Sequence, residues 1–567
     1  MQEYNLQGKV IRSTDLAGRV TTTAWDCCHK ISEVKPDGQT TTWDYDTEGR
    51  MIASSRLIPL DMTNVTWLTT CYSYDALGRQ TATWTTNCAE HVGTPATTTS
   101  YDALGRVVSR TIPGRGTSTI RYSANGLVVT NIAPNGATSV TRKNSDGDTL
   151  SVTGTGVMPE FMSRGVLADG TRWTKTVQGE TADSPRFTKR YENLLGATVR
   201  SEKSGFRGAV LASVNTYDAY GRLVSTASDG EPTSEITYDA LGNRVATVTR
   251  VASGEWRKSE SYSGYALRGS DIWAVQTNIV SCSDATIAPQ SQSRASRVTG
   301  LTPALVSESL VTDARGNVSE SRVEFDGFES VNIGINPAQT VCMESHSRLG
   351  VAVRSVSATG VESRSLYDGL GRVCTSIDGH GNATITEYDS FGRQSATIDA
   401  DNNRTTYGYD NYGQLVSVRN PLNDAVTYAY DLRGHKTYEG GATYPVRYAY
   451  DLFGNKVSMT TYRAEGATAG DTTRWLYDEA SNCMTNKVYA DGNGTKYEYA
   501  ALPDAPCKSR VYCRRRYREP SFAAAEVSPC GQGKEVGLVS YSTTPTPPLG
   551  SVGNILRVPL KRNSTRG

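Results

Sequence analysis

The stretch YDSFGRQSATIDADNNRTTYGYDNYGQ, residues 388–414, contains the motif Tyr-Asp-x-x-Gly twice, with its glycines at Gly392 and Gly413, 21 residues apart. Glycines in the same phase follow or precede at Gly371, Gly434 and Gly454. A fixed period of this length indicates a repeat architecture, in which each unit packs mainly on its neighbours. The structure of one period therefore decides the fold.

One period is predicted to hold two strands and two turns. Residues 382–388, NATITEY, are rich in β-branched and aromatic residues and have no apolar stripe of helical period, which predicts a strand. Asp389 and Gly392 stand at the first and fourth positions of a type I turn. The Asp carboxylate can accept the backbone N–H two residues on, and a left-handed Gly gives a hairpin with a bulge. Residues 399–403, DADNN, supply the second turn.

Successive periods must pair with each other, because a single two-stranded hairpin is marginal in water. The sequence thus predicts an all-β fold, a strip of stacked β-hairpins in which any helices are short and peripheral. We expect Tyr388, Tyr409 and Tyr430 to lie in one partly buried row, with aromatic contacts of about 0.5 to 1.5 kcal/mol each. If Asp389 acts only through the turn, Asn should be tolerated there, because it also accepts the turn hydrogen bond.

The motif residues are predicted to be structural. The clear copies are Tyr101, Asp102, Gly105, Tyr217, Asp218, Gly221, Tyr238, Asp239, Gly242, Tyr367, Asp368, Gly371, Tyr388, Asp389, Gly392, Tyr409, Asp410, Gly413, Tyr430, Asp431, Gly434, Tyr450, Asp451 and Gly454. Looser copies occupy residues 15–19, 46–50, 75–79 and 478–482, and in the last of these Ser481 is expected to take the glycine's place.

Motif spacing divides the chain into four predicted parts. Residues 1–250 form an N-terminal array with irregular spacing, and residues 251–344 form degenerate β repeats in which only residues 313–317 keep the motif clearly. Residues 345–500 hold the regular repeats. Residues 501–567 leave the pattern; their CRRRYREP and proline-rich segments favour a basic disordered tail over a toxin domain. A nucleic-acid or membrane patch, and one further repeat begun at Pro503 before a lost reading frame, remain alternatives.

Composition and motifs narrow the possible functions. With 59 basic and 58 acidic side chains, the net charge of +1 does not indicate a nucleic-acid partner. The 11 cysteines include no C-x-x-C pair, and Cys27-Cys28-His29 is a weak metal motif because neighbouring strand residues point to opposite faces. No phosphate-binding loop or zinc-protease motif occurs. The sequence therefore predicts no cofactor, no metal site, no catalytic residue and no enzymatic activity.

Two further expectations concern the membrane and the chain start. No apolar run reaches the roughly 20 residues that a membrane helix needs, so no membrane span is predicted. The start MQEYNLQGKVIRS lacks the regions of a signal peptide and begins in mid-pattern, as a fragment would.

Residues 101–106, 217–222, 367–372 and 388–393, Tyr-Asp-x-x-Gly-Arg, resemble the YD repeat of the RHS proteins, which have relatives in teneurins and in the B and C components of insecticidal toxin complexes. The resemblance covers about residues 1–500. It implies a β-strip that spirals into a hollow shell, commonly around a toxic C-terminal domain in bacterial members, and it favours a secreted or cell-surface location. Family shells usually carry a self-cleaving aspartate in a D-P-x-G-L-like segment; this sequence has no Asp-Pro dipeptide, so no catalytic residue is carried over.

Two functions follow from the resemblance. The first is a structural shell segment that encloses or presents another, toxin-like domain, with the remaining RHS shell as partner. Since the larger shells of the family are more than twice as long, this chain is not expected to close a complete shell. The alternative is an extracellular adhesin that uses exposed Tyr, Asp and Asn on its turns to bind glycans or proteins of a partner cell, in line with early descriptions of the repeat as carbohydrate-binding.

Overall fold

The computed structural model describes the backbone of residues 1–87, 89, 92–251, 254–502 and 505–514, and side chains as far as residue 499. Within these residues, 45 strands form one antiparallel sheet, which confirms the all-β prediction. The helical content of the same residues is the single 3-10 turn Phe206–Gly208. The predicted tail lies outside the described residues from residue 515 onward, and so does Pro503.

The strands are numbered in chain order. Strands β1 to β15 are Gln2–Tyr4, Val10–Thr14, Val20–Trp25, Lys30–Val34, Thr40–Tyr45, Met51–Pro59, Val65–Tyr74, Gln80–Asn87, Val92–Gly93, Thr97–Tyr101, Val107–Ile112, Gly116–Tyr122, Val128–Ile132, Thr138–Lys143 and Thr149–Thr153. Strands β16 to β30 are Glu160–Val166, Arg172–Gln178, Arg186–Glu192, Thr198–Ser204, Val210–Tyr217, Leu223–Ser228, Thr233–Tyr238, Arg244–Arg250, Trp256–Arg268, Asp271–Cys282, Gln290–Arg297, Leu305–Thr312, Val318–Phe325, Ser330–Ile335 and Val341–Arg348. Strands β31 to β45 are Val351–Ser357, Glu362–Tyr367, Val373–Ile377, Ala383–Tyr388, Gln394–Ile398, Arg404–Tyr409, Leu415–Arg419, Ala425–Tyr430, Lys436–Gly441, Val446–Tyr450, Lys456–Tyr462, Gly470–Tyr477, Met484–Val488, Gly494–Leu502 and Ala505–Arg514.

Each strand pairs with the next one in sequence. The exception is β9, a two-residue strand that pairs with β8. Strand β8 also pairs with β10, so the sheet continues from β8 to β10. At the motif the register shifts by one residue, as between Glu387 opposite Ala396 and Tyr388 opposite Gln394. The shift is the β-bulge expected after a turn that closes on a left-handed glycine.

The turns fall alternately on two edges of the strip, because successive strands run in opposite directions. We name the edge that carries turns 102–106, 218–222 and 389–393 the YD edge, and the other the opposite edge. Turn 313–317, between β27 and β28, lies on the opposite edge although its sequence keeps the motif. The motif therefore specifies a turn, while the number of intervening strands decides on which edge that turn lies.

Segments of the strip that are far apart in sequence contact each other along their edges. Asn87 contacts Gly369, Gly114 contacts Arg393, and Ser204 contacts Ala480, across separations of 282, 279 and 276 residues. In each pair the first residue lies on the opposite edge and the second on the YD edge. We call residues 1–250 the first course and residues 298–499 the second course.

Several buried side chains lie where the two courses meet. Most strand side chains are only half-buried, as expected for a single layer of sheet, but Ala17, Ile58, Asn87, Leu349 and Ala480 are buried. All five lie at or beside turns on the edges that face each other. Part of the core is thus a seam between two stretches of sheet. Among the described residues, no helix is long and apolar enough to cross a membrane.

Candidate functional site

The motif turn is fixed by the Asp carboxylate. At residues 389–393, Asp389 Oδ1 accepts the backbone N–H groups of Phe391 and Arg393, both at 2.9 Å. The Gly392 N–H donates to the Asp389 carbonyl at 3.0 Å, and Gly392 has a φ of +84°. Most L-residues in this conformation cost about 1 to 2 kcal/mol, so the backbone favours glycine at this position.

The residue after the glycine completes the turn, a role that the sequence pattern did not predict. Arg393 Nε donates to Asp389 Oδ2 at 2.8 Å, so both carboxylate oxygens are used. His435 takes the same place with its Nδ1 2.9 Å from Asp431 Oδ2. Asn takes it elsewhere, donating from Nδ2 to Oδ2, in Asn243, Asn317, Asn382, Asn403 and Asn455. The signal was present in the sequence as a recurrent donor side chain after the glycine.

Use of both oxygens changes the expectation for Asn at Asp389. An Asn could still accept the turn N–H groups, but its NH₂ would face the Arg393 guanidinium, which is also a donor. In the part of the chain that the structure describes, the turns that begin with Asn have no Arg at the fifth position; their fifth residues are Lys9, Asp148, Ala197, Thr340 and Asp424. The chain therefore pairs Arg with Asp.

Each motif tyrosine joins its repeat to the preceding strand. The Tyr388, Tyr409 and Tyr430 hydroxyls donate to the carbonyls of Val373, Gln394 and Leu415 at 2.7 to 2.9 Å. Burial raises the pKa of all three phenols, so the hydroxyls remain donors at neutral pH.

Two of the three tyrosines of the row, Tyr388 and Tyr409, lie under arginines instead of making ring-to-ring contacts. Tyr388, Tyr409 and Tyr430 stand on alternate strands, and among the described residues these three rings make no aromatic contact with one another. The guanidinium of Arg372 lies over the Tyr388 ring at 4.2 Å, and that of Arg393 lies over Tyr409 at 4.6 Å. The expected aromatic contribution is therefore a cation–π one.

All eight clear copies share this geometry. Their tyrosine hydroxyls donate to backbone carbonyls at 2.6 to 2.9 Å, in Tyr101, Tyr217, Tyr238, Tyr367, Tyr388, Tyr409, Tyr430 and Tyr450. Their Oδ1 atoms accept two backbone N–H groups each, in Asp102, Asp218, Asp239, Asp368, Asp389, Asp410, Asp431 and Asp451. Their glycines have φ between +75° and +88°, in Gly105, Gly221, Gly242, Gly371, Gly392, Gly413, Gly434 and Gly454.

One looser copy was assigned wrongly. In residues 478–482 it is Asn482, with a φ of +61°, and not Ser481 that takes the left-handed position. The turn is one residue longer, because the Asn482 N–H donates to the Asp478 carbonyl at 2.8 Å and the Ser481 hydroxyl binds the Asp478 carboxylate. Asn is among the few non-glycine residues that adopt this conformation readily.

The carboxylates of Asp75, Asp102 and Asp389 have a lowered pKa, which favours their ionised form. Hydrogen bonds from the Arg79 and Arg106 backbone N–H groups are the main cause that lowers the pKa of Asp75 and Asp102, and their guanidinium groups add to it. At Asp389, burial on its own raises the pKa, but the hydrogen bonds from the Arg393 backbone and side chain outweigh it, and the pKa is lowered. The negative charge is thus part of the folded turn.

The arginines also connect consecutive turns along the YD edge. Arg50 Nη1 donates to the Asp75 carbonyl at 3.2 Å, and Arg79 Nη1 donates to the Asp102 carbonyl at 3.1 Å. Each such guanidinium therefore binds its own carboxylate and the backbone of the next repeat, which fixes the spacing of neighbouring hairpins.

The contact between the courses uses polar groups on both edges. From the first course, Asn87 Nδ2 and Asn135 Nδ2 donate to the Gly369 and Leu432 carbonyls at 2.9 and 3.0 Å. The Ser204 hydroxyl donates to the Ala480 carbonyl at 2.7 Å. From the second course, Arg393 Nη1 and Arg433 Nη2 donate to the Gly114 and Val157 carbonyls, both at 3.0 Å. A guanidinium that fixes one turn thus also reaches the neighbouring course.

The cysteine-histidine motif belongs to a turn. Asp26 Oδ1 accepts the backbone N–H of Cys28, and His29 occupies the place of the motif arginine, with its ring stacked on Tyr45 at 4.5 Å. Cys27 and Cys28 are exposed free thiols. In the described part of the chain, no three His, Cys, Asp or Glu side chains are grouped so that they could hold a metal ion.

Comparison with known proteins gives the repeat type and the fold. Residues 388–425 match the family model of the RHS repeat. Among curated proteins, none matches the sequence significantly. The identification of RHS, or YD, repeats in the chain is confirmed by the model match together with the fold.

Solved structures of toxin components are similar to the chain. The crystal structure of TcdB2-TccC3-TEV has a TM-score of 0.54 at 13% identity, covering 88% of this chain and 30% of that one. TcdB2-TccC3 without its hypervariable C-terminal region has a TM-score of 0.49 at 10% identity, covering 92% and 38%. The Photorhabdus luminescens Tc holotoxin pore has a TM-score of 0.34 at 10% identity, covering 91% and 37%. The first likeness shows the fold, and this chain spans about 30% of the length of that protein.

Proposed function

We propose that this chain, built from RHS repeats, is a segment of a protein wall that encloses or presents another, toxin-like domain. The observation that carries the proposal is the seam: the opposite edge of the first course lies against the YD edge of the second, from Gln39 beside Leu349 to Ser204 beside Ala480. A sheet that continues edge to edge over successive courses makes a surface much larger than one hairpin stack, which is what a wall requires.

The chemistry of the motif supports a structural role. Both carboxylate oxygens of Asp389 are used within the turn, and the Tyr388 hydroxyl is used by a backbone carbonyl. The recurrent Asp and Tyr residues thus form their hydrogen bonds within the strip itself. A sugar-binding module would instead present such groups to solvent.

The test is protection of an enclosed polypeptide. The full chain is produced together with the polypeptide encoded directly downstream, and the purified complex is treated with a broad-specificity protease. We expect the partner to be digested at least tenfold more slowly in the complex than alone. Glycan-array binding is measured on the same sample, since specific glycan binding without protection would favour the adhesin and contradict the wall.

A matched pair of variants connects protection to the seam. Asn135→Asp keeps the Oδ1 acceptor of its turn but replaces the donor to the Leu432 carbonyl by an oxygen, so it should weaken the seam and reduce protection. Asn125→Asp makes the same chemical change in a turn of the YD edge of the first course and should leave protection unchanged. Equal effects of the two variants would show that the seam does not exclude the protease.

A further inference from the structure

The turn between β3 and β4 carries two neighbouring cysteines at its tip. Cys27 and Cys28 follow Asp26 in turn 26–29 of the YD edge, and they form the only Cys-Cys dipeptide of the sequence. Both are exposed and have free thiols. The contacts that shape the turn are made by the Asp26 carboxylate, the backbone and His29, so the two thiols are available to a solute.

Hydrogen bonds on both sides fix the backbone of the pair. Asp26 Oδ1 accepts the Cys28 N–H at 2.6 Å, and the Asp26 N–H donates to the His29 carbonyl at 3.0 Å. Lys9 Nζ, from the preceding turn of the YD edge, donates to the Cys28 carbonyl at 3.1 Å. The backbone donor and the backbone acceptor of Cys28 are thus both used, which anchors the tip while its two thiols stay exposed.

The two thiols are in contact with each other. Hydrogen bonding to the Cys28 thiol is the main cause that raises the pKa of Cys27. The peptide between the two residues is trans, and across a trans peptide the Cα atoms are about 3.8 Å apart. The Cα atoms of ordinary disulfides are about 4.4 to 6.8 Å apart. A disulfide between Cys27 and Cys28 would therefore be strained, and strained, exposed disulfides are easily reduced.

We propose that Cys27 and Cys28 form a reversible site of thiol–disulfide exchange that reacts with low-molecular-weight disulfides. The thiolate of one cysteine attacks a sulfur of the incoming disulfide, which forms a mixed disulfide and releases the first thiolate of the reagent. The other cysteine loses its proton and attacks the protein's own sulfur in the mixed disulfide. This step closes the Cys27–Cys28 bond and releases the second thiolate of the reagent.

The exchange is balanced without any further reactant. Two protein thiols are oxidised, one external disulfide is reduced to two thiols, and the protons of the two cysteines pass to the released thiolates. Excess external thiol reverses both steps. Neither step depends on what the wall encloses, so the site goes beyond the proposed wall function.

The test is peptide mass mapping of the full chain after incubation with glutathione disulfide in the absence of denaturant. We expect the wild-type peptide that contains Cys27 and Cys28 to lose two hydrogens and to carry no glutathione when the reaction is complete. Excess reduced glutathione should then return this peptide to the dithiol. Cys342 is exposed and has no neighbouring cysteine in the sequence, so it is the internal control and should keep glutathione as a mixed disulfide.

Two single variants test the closure of the ring. Cys27→Ser and Cys28→Ser each leave one thiol without its partner, so the mixed disulfide cannot be resolved. The remaining cysteine should carry at least tenfold more glutathione than the same peptide of wild type. Circular dichroism checks that both variants keep their strands.

Stable glutathione on both cysteines of wild type would overturn the proposal. So would a pair that does not react, or a disulfide from Cys27 or Cys28 to a third cysteine of the chain. Equal amounts of glutathione on this peptide in wild type and in the single variants would refute the closure of the ring.

Discussion

Comparing Gly413→Ala with Gly221→Ala should separate the energetic cost of a strained turn from the cost of disturbing the seam. Gly413 and Gly221 have φ of +82° and +77°, so Gly→Ala imposes about 1 to 2 kcal/mol of backbone strain at either site. Around Gly221 no atom lies within 4 Å of the new Cβ. At Gly413 the Cβ would lie 3.0 Å from Arg115 Cγ and 3.2 Å from the Gly114 carbonyl oxygen, both in the other course. Overpacking of this kind costs about 1 to 3 kcal/mol more.

Hydrogen exchange on the intact chain measures the difference locally. Since about 1.4 kcal/mol is a factor of ten in a population, Gly413→Ala should accelerate exchange in residues 112–116 by about 5- to 150-fold. Gly221→Ala should leave that segment unchanged and affect only its own hairpin. Equal exchange in residues 112–116 of both variants would refute the seam as the source of the extra cost.

Three further outcomes are expected. Asp218→Asn should lower the free energy of unfolding by about 1 to 2 kcal/mol, because the new side-chain NH₂ would face the Arg222 guanidinium, which donates to Asp218 Oδ2 at 2.7 Å in wild type. In denaturation experiments, the double variant with Arg222→Ala should lose less stability than the sum of the two single variants. Strictly additive losses would disprove the clash. Arg393→Gln should accelerate hydrogen exchange in residues 112–116 more than Arg372→Gln does. Both arginines bind the Asp of their own turn and lie over the next Tyr ring, but of the two only Arg393 donates a hydrogen bond to Gly114. Identical exchange profiles of the two variants would refute this expectation. The pKa of Asp75 and of Asp102 is lowered below the unfolded value of about 3.9, so the stabilisation from these two carboxylates is present above about pH 4 and is lost as the pH falls through the folded pKa. A melting temperature that is unchanged down to pH 2 would contradict this expectation.

The local fold could be predicted from the sequence because each turn is specified within five residues. Asp389 and Gly392 have the spacing that a type I turn with a left-handed residue requires, and strict repetition forces neighbouring hairpins to pair. The role of Arg393 was missed because the recurrent donor after the glycine does not by itself name an acceptor; the structure shows that the backbone leaves Asp389 Oδ2 free for it. Ser481 was misassigned because a one-residue insertion moves the left-handed position to Asn482.

The seam could not be predicted from the motif. It joins residues that are 276 to 297 positions apart in sequence. Asn87, Asn135 and Ser204 bind backbone carbonyls, which every residue type has, so the partners share no sequence pattern. Exposure of Leu104 and burial of Leu349 depend on which course a repeat belongs to, and identical residues cannot encode that difference.

Strand pairing between sequence neighbours has a consequence for how the chain is made. Each strand needs only the one before it, so the sheet can grow one hairpin at a time as the polypeptide leaves the ribosome or a translocation channel. Such local growth is fast compared with folds that depend on distant strands. The contacts of the seam, by contrast, wait for residues synthesised 276 to 282 positions later. During that interval the Gly114 carbonyl has not yet met the Arg393 guanidinium that binds it in the folded chain, so we expect this edge to be completed only after the second course is synthesised.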